Sequence, residues 1–154
     1  MTDYEQIRKQ VSALLEEEPW CVSALSNISA VLMNSLPDLN WAGFYLMKEG
    51  ILTVGPFQGH PACIHIAPGR GVCGTAVERM ETIVVDDVHL FPGHIACDSA
   101  SASEIVVPVR DGDRIAAVLD IDSPVKKRFS PADREGLEGI VREIEARVRW
   151  NTEK

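Results

Sequence analysis

Apolar residues recur every three or four positions near both ends of the chain, and this spacing predicts three helices. The first begins at Thr2–Glu5, which has the Thr-x-x-Glu form of a capping box, and it ends before Pro19. The second follows at once and ends before Pro37. The third has the clearest start, because Ser130 suits the N-cap and Pro131 suits the first helical position.

Between these helices the pattern changes to runs of β-branched, aromatic and alternating residues, which are typical of strands. The predicted strands are Trp41–Met47, Ile51–Phe57, Ile83–Val85, Glu104–Arg110 and Arg114–Asp122. Lys48–Gly50 and Asp111–Asp113 join two pairs of them as hairpins. Pro108 cannot donate a ladder hydrogen bond, so its strand lies at an edge or carries a bulge there.

Helices at both ends of a hairpin-linked set of strands predict an α+β fold, with an antiparallel sheet and the N- and C-terminal helices on one face. The chain has 154 residues, which favours one domain covering residues 1–154. At this size a domain buries enough apolar surface to fold without disulfide or metal crosslinks.

The charge balance excludes two classes of partner. The chain has 15 Lys and Arg against 23 Asp and Glu, a formal net charge of -8. Proteins that bind nucleic acids or anionic membranes need a basic surface, so we expect neither partner. The acidic N-terminus has no signal-peptide pattern, and no apolar run approaches the ~20 residues that span a bilayer. We therefore expect a cytoplasmic protein, in which cysteines are more often catalytic or metal-binding than structural disulfides.

Three of the four cysteines lie in irregular segments interrupted by Gly and Pro. These are Cys63, Cys73 and Cys97, whereas Cys21 falls on a predicted helix and is interpreted as a packing residue. Such loops on a rigid sheet commonly carry reactive groups, although free cysteines also occur as small buried side chains. Zinc is a further alternative, with the candidate ligands His60, Cys63, His65 and Cys73. Because these residues form no Cys-x-x-Cys or His-x-x-x-His pair, we predict no metal site.

Two carboxylates share one face of the last predicted strand. Alternation places Asp120 and Asp122 together, roughly 7 Å apart along the strand. A three-residue loop would set Glu104 opposite Asp120 on the neighbouring strand, whereas a different loop length would turn it to the other face. These acids either cap loops and pair with surface arginines, or they form a pocket for an ammonium group in which one acid stays protonated.

Aromatic and imidazole side chains allow both structural and functional interpretations. Trp41 and Tyr45 share one face of their strand, where they form either core or the wall of an apolar pocket. His89 and His94 flank a Phe-Pro-Gly turn, where holding the loop and taking part in catalysis are both open.

Together, six segments of the chain resemble the free methionine-(R)-sulfoxide reductases, which are small GAF-domain enzymes. The segments are Asn40–Tyr45, Gly55–Gly59, Gly69–Gly74, Val88–Asp98, Ser103–Pro108 and Leu119–Pro124. The resemblance implies a GAF-like fold and the reduction of free methionine-(R)-sulfoxide to methionine, without a bound cofactor.

The resemblance also implies roles for the cysteines. Cys97 is the nucleophile and becomes a sulfenic acid, and Cys63 resolves that acid to a disulfide. Cys73 supports the resolving step, lines the pocket, or is itself the attacking thiol. Thioredoxin or a similar dithiol protein then restores the thiols.

For the substrate, the resemblance implies that Glu104, Asp120 and Asp122 hold the ammonium group and supply the proton to oxygen. Trp41 and Tyr45 enclose the methyl-sulfoxide end. A homodimer is expected by analogy. The main alternative is a GAF module that binds a small ligand or senses oxidation without catalysis.

Overall fold

The computed structural model describes residues 1–95 and 97–150, and these residues form a mixed α+β structure. Four α-helices and a six-stranded antiparallel sheet lie within this part of the chain. The helices are α1 (Tyr4–Glu17), α2 (Cys21–Ser35), α3 (Gly71–Arg79) and α4 (Pro131–Arg147). The strands are β1 (Trp41–Lys48), β2 (Ile51–Gly59), β3 (His65–Ile66), β4 (Ile83–Val85), β5 (Ser103–Asp111) and β6 (Arg114–Ser123). None of the helices in these residues combines the length and apolar character needed to cross a bilayer.

The sheet separates two apolar clusters, and its strand order is β3-β2-β1-β6-β5-β4. Helices α1, α2 and α4 pack on one face, as the sequence predicts, and form the larger cluster. Helix α3 packs on the opposite face with a smaller cluster. Strand β6 shows the division, because Leu119 and Ile121 contact the three long helices while Val118 faces α3. The predicted fold class is confirmed.

The register between β5 and β6 differs from the predicted one. Asp111 pairs with Arg114, so the turn has two residues rather than three, and Gly112 adopts a φ of 66° in it. A bulge between Val109 and Arg110 shifts the pairing by one further residue. Glu104 therefore lies opposite Asp122 and not opposite Asp120. A shift of two residues preserves the face of a strand, so the three acids still lie on the same side of the sheet.

Two local predictions are also decided by hydrogen bonding. The N-cap of α1 is Asp3 rather than Thr2, because the Asp3 carboxylate accepts a hydrogen bond of 3.0 Å from the Gln6 backbone amide. Strand β5 is not an edge strand, because it lies between β6 and β4, but it carries a bulge next to Pro108, between Val109 and Arg110. Pro108 also lies beyond the part of β5 that pairs with β4, so its missing donor leaves no gap in that ladder.

Polar contacts join the first and last helices. The Tyr4 hydroxyl donates to the Asp133 carboxylate of α4 at 2.6 Å, and the Arg8 guanidinium donates to Glu143 at 2.8 Å. The Tyr4 ring packs against Gly136, where a Cβ atom would lie closer to the ring carbons than real contacts allow. Helix α1 can therefore pack on α4 in this way only because residue 136 is a glycine.

We expect Gly136→Ala to lower the free energy of unfolding by about 1–3 kcal/mol, because the new methyl group forces the Tyr4 ring away. Gly139→Ala on the same helix is the matched control. Its added Cβ would have Arg142 Nη2 at 3.6 Å as its nearest contact, so the gain in helix propensity should raise stability by about 0.5–1 kcal/mol. Urea denaturation of both variants measures the difference, and equal effects would contradict the packing described for Tyr4.

Candidate active site

A cavity opens on the sheet face that carries α3, between that helix, strands β1, β5 and β6, and the loops after β2 and around residue 97. All the catalytic and substrate-binding residues that the family resemblance implies line it except Cys63, which is bonded to the lining residue Cys97. The lining residues are Trp41, Tyr45, Pro61, Ala62, Ile66, Arg70, Gly71, Val72, Cys73, His94, Ile95, Cys97, Asp98, Ser101, Glu104, Asp120 and Asp122.

A disulfide joins two of the loops around this cavity. Cys63 follows β2, Cys97 precedes β5, and their sulfur atoms are bonded across a Cα–Cα distance of 5.5 Å. Cys97 lines the cavity, whereas Cys63 packs against the apolar cluster around α3. The pairing of Cys63 with Cys97, which the family resemblance implies, is therefore present in the structure.

The remaining two cysteines are buried thiols in different surroundings. Cys21 packs among the three long helices. Cys73 lies in the first turn of α3, and its sulfur lies within 4.8 Å of a carboxylate oxygen of both Glu104 and Asp120. Burial first, and these negative carboxylates second, raise the pKa of the Cys73 thiol well above its ordinary value. A thiol held protonated in this way is a weak nucleophile.

The three acids form a buried cluster at the base of the cavity. Glu104 and Asp120 are almost completely buried, and one carboxylate oxygen each of Asp120 and Asp122 has no hydrogen-bond partner. Burial is the main cause that raises the pKa of all three, and mutual repulsion with the neighbouring acids adds to it for Glu104 and Asp122. Hydrogen bonds with these neighbours oppose the rise of the Asp120 pKa. Burial therefore favours the protonated forms of these acids, and the two oxygens without a donor are unsatisfied acceptors.

A chain of hydrogen bonds connects the acids to the loop that carries Cys97. Asn40 Nδ2 donates to Asp98 Oδ2 at 3.0 Å and to Ser101 Oγ at 3.1 Å, and the Ser101 hydroxyl donates to Asp122 Oδ2 at 3.0 Å. The sequence interpretation assigned no role to Asn40, Asp98 or Ser101. Asn40 and Asp98 lie within segments that carry the family resemblance, which is the only sequence signal that marks them.

Stacked aromatic rings form the wall beside the disulfide. Trp41 lies between Tyr45 and Phe57, with ring centroids 5.8 Å and 5.0 Å away, and its indole N–H donates to the His60 carbonyl at 3.1 Å. Trp41 and Tyr45 are buried and also line the cavity, so the two sequence interpretations, core and pocket wall, both hold. Burial, and next the charge of Asp120, raise the pKa of Tyr45, so its hydroxyl keeps its proton.

The two histidines of the loop differ in position. His94 lines the cavity, and burial followed by the charge of His89 lowers the pKa of His94, which keeps it neutral at pH 7. His89 is exposed, and its backbone amide donates to the Asp87 carboxylate at 3.1 Å. Arg70, to which the sequence interpretation gave no role, also lines the cavity.

The zinc ligands considered from the sequence are not brought together. Cys63 is in the disulfide, and the His60 side chain is 81% exposed. Over residues 1–95 and 97–150, the group with ligand atoms at metal-binding proximity is instead Cys73, Glu104 and Asp120.

Comparisons with known proteins agree with this geometry. The GAF domain model matches residues 8–148. A free methionine-R-sulfoxide reductase of Escherichia coli is 49% identical over 92% of this chain and 86% of its own length. Two solved structures are similar over most of the chain. The fRMsr of Staphylococcus aureus, in complex with substrate, has a TM-score of 0.92 and 52% identity, covering 97% of each chain. The free methionine-R-sulfoxide reductase of Neisseria meningitidis, also in complex with its substrate, has a TM-score of 0.90 and 40% identity, covering 94% of this chain and 87% of that one.

The raised pKa of Glu104 gives a pH dependence of stability. In the folded protein this carboxyl keeps its proton above the ordinary range of about 4–5, whereas the unfolded chain has lost it, so unfolding releases a proton. Stability of the wild type should fall as pH rises from 5 to 8. In Glu104→Gln this contribution is absent, so the variant should gain on the wild type by on the order of 1 kcal/mol per pH unit.

Urea denaturation of the disulfide-bonded form at pH 5, 6.5 and 8 measures this difference. Glu135→Gln, which removes an exposed carboxyl on α4, is the control and should track the wild type. A constant difference between Glu104→Gln and the wild type at all three pH values would contradict the assignment of a protonated Glu104.

Proposed function

Because the chain belongs to the GAF family and, within it, to the free methionine-R-sulfoxide reductases, we propose that it reduces free methionine-(R)-sulfoxide to methionine. One observation carries the proposal: a cysteine that forms a disulfide and three buried acids line the same cavity. In their reduced form, the two cysteines of the disulfide supply a thiol nucleophile and its resolving partner. The acids supply protons and a site for a cation.

The sulfoxide oxygen leaves poorly as an oxide, so it must be protonated while a thiolate attacks the sulfur. In the proposed first step the Cys97 sulfur takes up the oxygen, which gives methionine and a Cys97 sulfenic acid. The Cys63 thiol then displaces the hydroxyl of the sulfenic acid, releasing water and forming the disulfide. The Cys63–Cys97 bond in the structure supports this assignment, because it joins the two sulfurs that the second step requires.

We assign the proton supply and the ammonium site to Glu104, Asp120 and Asp122. A carboxyl with a raised pKa can donate to the oxygen at neutral pH, and the unpartnered oxygens of Asp120 and Asp122 match an ammonium group. A peptide-bound methionine sulfoxide has a neutral amide in place of that ammonium. Burying the amide would leave the acids without a cation, which explains a preference for the free amino acid.

Trp41 and Tyr45 lie beside Cys97 in the cavity lining, and we assign to them the methyl-sulfoxide end of the substrate. Their stacked rings give a flat apolar wall that excludes water from the reacting sulfur. The protonated Tyr45 hydroxyl is also a hydrogen-bond donor in that wall.

Cys73 has a different role from the other two cysteines in this proposal. Its thiol is buried beside two carboxylates, which favours the protonated form and disfavours attack on a sulfoxide. Of the three roles considered from the sequence, lining the pocket is therefore the best supported.

Completion of the cycle needs two electrons from outside the chain. We propose a thioredoxin-type dithiol, which attacks the disulfide by thiol exchange and restores both cysteines without a bound cofactor. The homodimer, the cytoplasmic location and the single domain stay predictions from the sequence.

Cysteine variants test the order of events. Cys97→Ser should abolish turnover of free methionine-(R)-sulfoxide with a thioredoxin regenerating system. Cys63→Ser should release one methionine per protein in a first turnover and then slow, because the sulfenic acid has no resolving thiol. Cys21→Ser, a buried cysteine outside the cavity, is the control and should retain activity. Full activity of Cys97→Ser would end the assignment of Cys97 as nucleophile.

Substrate specificity tests the role of the acids. The wild type should reduce the free R sulfoxide and refuse the S sulfoxide and a peptide-bound sulfoxide. Glu104→Gln should lose about a hundredfold or more in kcat/KM, the loss typical of a removed general acid. Steady-state kinetics with the three substrates measures both effects. A wild type that binds the free sulfoxide without turning it over would contradict the proposal and favour a ligand-sensing GAF module.

A further inference from the structure

The proposed redox cycle leaves one buried thiol of the cavity unused. Cys73 lies apart from the disulfide, and it belongs to a group of three side chains whose ligand atoms all lie within 4.8 Å of one another. The other two members are Glu104 and Asp120, which are 7% and 5% exposed, while Cys73 is 3% exposed. We call these three residues the Cys73 cluster.

The donor atoms of this cluster are one sulfur and two carboxylate oxygens, a combination that zinc accepts. An ordinary tetrahedral zinc site, with Zn–S of about 2.3 Å and Zn–O of about 2.0 Å, separates its ligand atoms by roughly 3.5 Å. The upper bound of 4.8 Å on the separations in the Cys73 cluster exceeds this spacing by about 1 Å, so ion binding requires the ligand atoms to move closer together by at most about that amount.

A second observation points to a cation at the same place. Asp120 Oδ1 and Asp122 Oδ1 are buried, line this cavity and have no hydrogen-bond donor. A buried acceptor without a partner is costly, and a cation in the cavity satisfies it. The ammonium group of the substrate satisfies the oxygens but makes no use of the sulfur, whereas a thiophilic ion uses both.

We propose that the Cys73 cluster is a binding site for a thiophilic divalent cation of the zinc type, and that the bound ion excludes substrate from the cavity. The ion replaces the thiol proton of Cys73 and the carboxyl proton of Glu104, both of which are released to solvent, and no electron is transferred. The binding site stands without the proposed function, whereas the inhibition rests on it. The ion is an inhibitor in this proposal and takes no part in the reduction.

The position of Cys73 outside the disulfide gives the site a distinctive property. An ion held by Cys63 and Cys97 requires both thiols to be reduced, because a disulfide sulfur is not a thiolate ligand. The Cys73 cluster keeps its sulfur in the disulfide-bonded protein. Binding should therefore occur in the oxidised form, where poisoning of the redox thiols is excluded.

Cobalt(II) is the probe, because a thiolate ligand gives it a sulfur-to-metal charge-transfer band in the near ultraviolet. The full chain is titrated with Co²⁺ in its disulfide-bonded form, without reductant, and then with Zn²⁺ to displace the cobalt. The wild type and Cys21→Ser, which lacks the other free thiol, should both show the charge-transfer band, and its absorbance should saturate at one Co²⁺ per chain. Cys73→Ser should show no band, and Asp120→Asn should weaken binding by at least about tenfold.

Each alternative outcome overturns the site. No band in the wild type, a band that persists in Cys73→Ser, or a band that is lost in Cys21→Ser would each exclude it. If Cys73→Ser fails to fold, Asp120→Asn and Glu104→Gln decide, and unchanged affinity in both would overturn the cluster as ligand set.

Kinetics separates this proposal from the proposed function. With the reduced, active enzyme, Zn²⁺ should raise the apparent KM for free methionine-(R)-sulfoxide and leave kcat unchanged, after correction for zinc bound by the reductant. Binding of Co²⁺ by a chain that reduces no sulfoxide would count against the function and leave the site intact. If the ion binds but substrate does not compete with it, the proposal that the bound ion excludes substrate from the cavity is overturned.

Discussion

The candidate site depends on three carboxyl groups that are held on one face of a single strand pair, two of them buried and that of Asp122 half-buried. Glu104 on β5 lies opposite Asp122 on β6, and Asp120 lies one pleat along on the same face. Such a group is unfavourable for folding, because each charge loses its hydration and repels the others. Protonation lowers part of this free-energy cost. The rest remains, because one carboxylate oxygen each of Asp120 and Asp122 has no hydrogen-bond partner. In the proposed function, this unfavourable arrangement is the reason that the cavity favours an ammonium group.

The opposite face of the sheet provides the stability that this arrangement requires. Helices α1, α2 and α4 cover it with a continuous apolar cluster that includes Phe44, Leu119 and Ile121. Strands β1, β5 and β6 contribute to both faces, so a rigid core fixes the positions of the acids and of Trp41 and Tyr45. Hydrogen bonds from Asn40 and Ser101 connect the Cys97 loop to this core, and the Trp41 indole N–H, which donates to the His60 carbonyl, connects the loop that carries Cys63.

Much of this organisation could be predicted from the sequence, because it follows from local periodicity. Ser130 and Pro131 mark the start of α4, and alternation alone assigns Asp120 and Asp122 to one face. The predicted register of β5 was wrong by two residues. The turn, which has two residues rather than three, accounts for one of them, and the bulge between Val109 and Arg110, which leaves no mark in the hydrophobic pattern, accounts for the other. Asn40 and Ser101 were missed for another reason. Their function is to hydrogen-bond residues that are distant in the chain, and spacing carries no information about such contacts.

The disulfide closes a segment of the chain with a sequence separation of 34 residues, which contains α3 and β4. In the chain-entropy model a closed loop of this length destabilises the unfolded ensemble by about 4 kcal/mol. The oxidised and reduced forms of the protein therefore differ in their free energy of unfolding as well as in their chemistry. Reduction removes the crosslink between the two loops. The form with free thiols, which the proposed reaction requires, is therefore also the form with the lower free energy of unfolding.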